Sequence, residues 1–152
     1  MKTVTLLTLI DALMTPDCHN YGIVAETAYA TICGEVGHKF DHIPYDRGSD
    51  VNAGRRHISV KSSKFTLMSG SLCEGKTSFD DIWNLYSSKV HSNEWAYITK
   101  DGRAFEMNKT EFKQFVYEFC SVEKESAKNG GYCKIRCRRE SAKMLEWLEA
   151  RA

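Results

Sequence analysis

Apolar residues recur at helical spacing near both ends of the chain and at a spacing of two in its middle. Between residues 3 and 15, Leu6, Leu7, Ile10, Leu13 and Met14 follow the helical period, and Pro16 ends the run. Tyr21 to Gly34 predicts a second helix, with Val24, Ala25, Ala28, Tyr29 and Ile32 as its apolar stripe. Glu26 lies outside that stripe, among the uncharged Ile23, Thr27 and Ala30. The commoner fate of such a carboxylate is to reach solvent or pair with a lysine. Phe40 to Tyr45 and Ser49 to Asn52 predict two short strands, and Asn52-Ala53-Gly54 a tight turn. The segment Arg56 to Ser62, RHISVKS, then alternates like a half-buried strand. Ile58 and Val60 take one side; His57, Ser59 and Lys61 take the other.

Residues 66 to 77 are rich in Gly and Ser and predict a loop. Ser78 then caps a helix with Asp80 and Asp81 in its first turn, where the dipole favours negative charge. Phe79, Ile82, Trp83, Tyr86 and Val90 form its apolar face. Glu94 to Thr99 and Arg103 to Met107 predict a hairpin around Lys100-Asp101-Gly102. Asn108 or Thr110 caps a helix carrying Phe112, Phe115, Val116 and Phe119 on one face. After the break at Asn129-Gly130-Gly131, Tyr132 to Arg138 predicts a last strand. Residues 140 to 150 predict a closing helix buried through Met144, Leu145, Trp147 and Leu148. This order predicts an α/β sandwich, with helices around one central sheet.

A length of 152 residues with 42% hydrophobic side chains predicts a single domain, 1–152, with a full core. The net charge of +1 decides nothing by itself, since a protein dedicated to wrapping nucleic acid would be more basic. The cations are uneven, however. Arg55, Arg56, Lys61 and Lys64 gather around the alternating strand, and Lys134, Arg136, Arg138 and Arg139 near the end. Either group suits phosphate, although solvated strand edges carry such residues for blander reasons, and for the second group the bland reading leads. Cys18, Cys33, Cys73, Cys120, Cys133 and Cys137 are scattered through a chain large enough to need no disulfide framework. Neither Cys133-x3-Cys137 nor Cys18-His19 has a zinc-site spacing. Asp11 interrupts the early apolar run, no small-residue cleavage site follows it, and no run is long enough to span a membrane. The expectation is an intracellular protein of the reducing cytoplasm.

Glu26 on an early helix, Asp50 at a strand end and Ser59-Val60-Lys61 on the next strand resemble the PD-(D/E)xK nuclease superfamily. The resemblance covers roughly residues 21 to 99. It implies a restriction-endonuclease-like fold, a central mixed β-sheet flanked by helices. It also implies a Mg²⁺-dependent endonuclease, with Mn²⁺ as a substitute, cutting double-stranded DNA. By that resemblance Asp50 is the principal metal ligand, Val60 offers its carbonyl, Lys61 assists the attacking water and Glu26 is a further ligand. Arg55, Arg56, Lys64 and Lys76 would serve phosphates. Two-fold symmetric DNA sites suit a homodimer.

The sequence departs from the pattern at Ser59, which stands where the superfamily has its second acid. A hydroxyl does not replace a carboxylate's charge, so another acid must fill the place or the metal is held weakly. Asp80, Asp81, Glu74 and Glu26 are candidates, and Asp46 is an alternative to Asp50. If none reaches, the expectation becomes an inactive DNA- or protein-binding module on the same fold. His57 shares the face of Lys61, where a substrate-facing or solvated role is commoner than that of a catalytic base. A zinc or redox protein built on the cysteines with His19, His38 and His42 is the minor reading.

Overall fold

The computed structural model describes residues 2–14, 21–32, 51–53, 55–67, 75–126, 128 and 131–152. Two helices, α1 (Lys2–Leu13) and α2 (Tyr21–Ile32), precede the hairpin β1 (Val51–Ala53) and β2 (Arg56–Ser62). After β3 (Phe65–Leu67) come α3 (Phe79–Lys89), β4 (Glu94–Ile98), β5 (Ala104–Asn108) and α4 (Lys109–Phe119). The chain closes with β6 (Ser121–Lys124), β7 (Cys133–Cys137) and α5 (Ala142–Arg151). No helix among the described residues is long and apolar enough to cross a membrane.

This is an α/β fold, with two sheets among the described residues where the sequence predicted one. The first is mixed, in the order β1-β2-β4-β5, and the second is antiparallel, in the order β3-β7-β6. In the first sheet β2 and β4 run parallel, while both flanking pairs are antiparallel. Parallel neighbours need a long crossover, and the segment containing α3 supplies it. Ser63 produces the second sheet: its φ of 53° is left-handed, and it turns the chain out of β2 and into β3. A non-glycine residue in that conformation costs about 1–2 kcal/mol and needs support from its surroundings. The Tyr97 hydroxyl lies 3.2 Å from the Ser63 carbonyl and 3.0 Å from a Glu140 carboxylate oxygen. Its single proton can go to either acceptor.

The second sheet corrects two of the predicted elements. Residues 66 and 67 of the loop expected over 66–77 belong instead to Phe65–Leu67, which pairs with β7, and residues 68–74 lie outside the described residues. Ser121–Lys124, unassigned in the sequence, forms β6 against the other edge of β7. The strand expected over Phe40 to Tyr45 lies outside the described residues, as does the Ser49-Asp50 portion of the one expected over Ser49 to Asn52.

The first sheet has a core on each face. Ile58, Val60, Ala96 and Ile98 pack with Leu6 and Ile10 of α1 and with Val24, Ala25, Ala28 and Tyr29 of α2. On the other face Trp95, Tyr97 and Met107 meet α3, α4, α5 and the inner side of the second sheet. Trp95 stacks on Phe112 at 4.9 Å between centroids, and its indole N–H donates to the Tyr86 hydroxyl at 3.0 Å. Ser78, Asn108 and Ser141 cap α3, α4 and α5, Asn108 through a full capping box with Glu111.

The β4–β5 turn brings the backbone close to α1 at Gly102. Gly102 has φ of 82°, and a Cβ placed there would lie 2.7 Å from Leu7 Cβ of α1. Gly102→Ala therefore combines left-handed strain with a clash against an anchored helix. It is expected to cost about 2 kcal/mol, measurable by urea denaturation.

Candidate functional site

The chemistry predicted for β2 rests on which face each residue takes, and the register with β4 settles that. Ile58, Val60 and Ser62 pair with Glu94, Ala96 and Ile98, while Ser59 and Lys61 pair with Trp95 and Tyr97. Ile58 and Val60 are buried under α1 and α2. Ser59 and Lys61 stand together on the opposite face, Ser59 only 4% exposed and Lys61 half-buried. The side chain of Val60 is in the core, which leaves its main chain for any polar role.

Asp50 lies outside the described residues, as do Asp46 and Glu74. The chain neighbour of Asp50, Val51, is fully buried and pairs with Ile58, the residue before Ser59. Glu26 is half-buried on α2, and α2 packs against the Ile58 and Val60 face. Glu26 and Lys61 therefore start from opposite faces of the sheet. Asp80 is exposed beside Asp81 in the first turn of α3, where it complements the helix N-terminus. Among the described residues no group of three or more His, Cys, Asp and Glu side chains could hold a metal. A hard divalent cation needs several oxygen ligands. The described part of the site provides no such carboxylate set.

Of the predicted phosphate ligands, Arg55, Lys64 and Lys76 are exposed. Arg56 is engaged elsewhere. Its guanidinium donates to Glu94 at 2.8 and 3.2 Å and to Glu106 at 3.1 Å. The Tyr29 hydroxyl donates to Glu106 at 2.6 Å, so the group joins β2, β4, β5 and α2. The hydrogen bond with Glu94 and the charge of Glu106 hold Arg56 above its ordinary range, against the opposing effect of burial. Arg56 is thus a brace on the α2 side. Asn93 closes the same end of β2: it accepts from the His57 N–H at 2.9 Å and donates to the Arg55 carbonyl at 3.1 Å.

No protein-family model, curated protein or solved structure matches the chain. The site's meaning therefore rests on its own chemistry.

That chemistry includes a surface the sequence did not assemble. Lys64 precedes β3 and Arg138 follows β7, while Thr66 pairs directly with Arg136. Lys64, alone of the first cation group, thus meets Arg136 and Arg138 at the second sheet. Lys134-x-Arg136-x-Arg138 alternates with the buried Ile135 and Cys137, a period-two signal that could have placed all three cations on one face. Glu123 of β6 receives Arg138 through two donors and lies near Arg136, which also reaches Glu125 at 3.5 Å. Burial pulls the Lys134 ammonium below its ordinary range, and its neighbour Arg136 adds to this.

Arg138, followed by the Ser121 hydroxyl bond, holds Glu123 well below its ordinary 4.5, at about 2. Because the folded value is depressed, the stabilisation from this pairing is complete above the unfolded value and fades as pH falls through the folded one. A carboxylate NMR titration should place the Glu123 midpoint near 2 and, in Arg138→Gln, return it toward 4.5.

Proposed function

We propose that the chain is a Mg²⁺-dependent endodeoxyribonuclease that hydrolyses phosphodiester bonds of duplex DNA and works as a homodimer in an intracellular compartment. The observation that carries this reading is the placement of Lys61 beside buried Ser59, one strand face away from the α2 core. Two features support the PD-(D/E)xK order: a helix with Glu26 before the hairpin, and a helical crossover to parallel β4. The free thiols of Cys120, Cys133 and Cys137 suit a reducing compartment.

In this reading Lys61 presents its ammonium to the attacking water and to the phosphate that gains charge in the transition state. A fixed cation at a partly dry surface stabilises that charge more than bulk water does. The buried Ser59 hydroxyl lines the same face and limits water there. By the resemblance, Asp50 and the Val60 carbonyl, with Glu26 or Asp80 as further donors, would hold a Mg²⁺ or Mn²⁺ ion, which would supply the remaining charge neutralisation. Arg56 positions β2 without touching DNA.

The second reading, a DNA-binding module without catalysis, draws on a specific observation too. Ser59 stands in place of an acid, and the described residues complete no metal site. Incubating supercoiled and linear DNA with the protein and Mg²⁺ or Mn²⁺ separates the two. Discrete fragments that disappear in Asp50→Ala and Lys61→Ala support the nuclease. Binding without cutting selects the inactive module, and neither binding nor cutting overturns both.

A further inference from the structure

We infer that the outer face of the second sheet is a docking groove for the phosphodiester backbone of duplex DNA. The groove measures about 610 Å³ and is lined by Lys64, Thr66, Arg136 and Arg138, with Phe65 and Cys137 at its base. This assignment rests on the nuclease reading and extends it to a surface on a different sheet from Lys61.

Charge and geometry both favour a polyanion. The groove is lined by the cations Lys64, Arg136 and Arg138 and by no carboxylate, while buried Lys134 is paired with Glu125. Same-face residues two apart on a strand are ~7 Å apart, so Arg136 and Arg138 offer successive cations along β7, and Lys64 another from the neighbouring strand. The carboxylates hold the guanidiniums in place without using all their donors. Arg138 bonds Glu123 through Nε and one terminal nitrogen, and its side chain is 64% exposed. A guanidinium has five N–H donors, so several remain for phosphate oxygens. Lys64 and Thr66 are exposed, which lets a backbone approach from solvent.

Continuity with the candidate centre supplies the second argument. The bend at Ser63 is all that separates Lys61 from Lys64, so one short segment carries both the proposed water-assisting cation and the first groove cation. A duplex laid along the groove is thereby fixed relative to the strand that would cut it. Such contacts set register and affinity without reading sequence.

The test is fluorescence anisotropy of the full chain with a labelled duplex, without divalent metal, over a range of salt concentrations. Each lost phosphate contact lowers the slope of log K against log salt by about 0.9. Lys64→Gln/Arg138→Gln is expected to reduce that slope by about 2 and weaken binding at least about tenfold at low salt. Thr66→Glu, at an exposed position that breaks no ion pair, should weaken binding in the same direction. An unchanged slope and affinity in both variants, with wild-type binding and cleavage intact, would overturn the groove and leave the nuclease standing. Absence of DNA binding by the wild-type chain overturns the groove, and absence of cleavage with Mg²⁺ or Mn²⁺ as well overturns both. Equal competition by polyglutamate at matched ionic strength would assign the face to an acidic protein and also overturn the proposal.

Discussion

Lys61→Met is expected to slow DNA cleavage by at least about a hundredfold while leaving the melting temperature within a few degrees of wild type. Methionine keeps most of the aliphatic stem, so packing beside Tyr97 survives and only the ammonium is lost. Half-burial makes this separation possible. A fully buried lysine would confound charge with folding, and a fully exposed one would be screened and replaceable. Lys61→Arg tests the geometry. A guanidinium carries the same charge in a broader planar head, so it should not restore the rate if the ammonium contacts a single water. Cleavage rates on supercoiled DNA, with circular dichroism as the control, decide the matter. Full activity in Lys61→Met removes Lys61 from the mechanism.

Phe112→Ala should be the most damaging single truncation, costing about 3–5 kcal/mol. Phe112 is fully buried at the centre of the larger core. Its ring stacks on Trp95 at 4.9 Å and lies within 6.4 Å of the rings of Trp83, Phe115 and Phe65. Neighbours on β3, β4, α3 and α4 would all lose contact together, and aromatic walls collapse poorly into the space left. For a domain of this size the melting temperature should fall by roughly 10 °C. Phe112→Leu refills part of the volume and should recover about half of the loss. A fall of only a degree or two in calorimetry would show that the cavity closes, contrary to this packing.

The elements with strong local signals were legible in the sequence. Ser78 caps α3 as its side chain and following acids indicate, and of the two caps expected for α4, Asn108 and Thr110, the structure uses Asn108. Arg56–Ser62 is a strand with the predicted bounds, and Ser59 and Lys61 share the predicted face. The second sheet was not legible, because nothing local announces a serine with left-handed φ, and a strand as short as Phe65–Leu67 carries too little alternation to stand out among Gly and Ser. Arg56 was misjudged for a related reason. Its sequence neighbours, Arg55 and His57, suggest a basic edge, whereas its acids lie on β4 and β5, 38 and 50 residues away. The meeting of Lys64 with Arg136 and Arg138 is likewise a product of strand pairing between distant segments. As for the candidate centre, the face of Lys61 is in place, while Asp50 lies beyond the described residues.

The brace formed by Arg56, Glu94, Glu106 and Tyr29 has a consequence for how the chain avoids folding wrongly. Strand pairing tolerates sliding, and a slip of one residue between β2 and β4 would turn every β2 side chain to the other face. Lys61 and Ser59 would then point under α1 and α2, and Ile58 and Val60 would leave their core. Hydrophobic contacts penalise that slip, and Arg56 adds to the penalty, since a slip would part its guanidinium from the acids it meets on β4 and β5. The brace therefore favours the native register, and the orientation of Lys61 is guarded from the opposite face of the sheet.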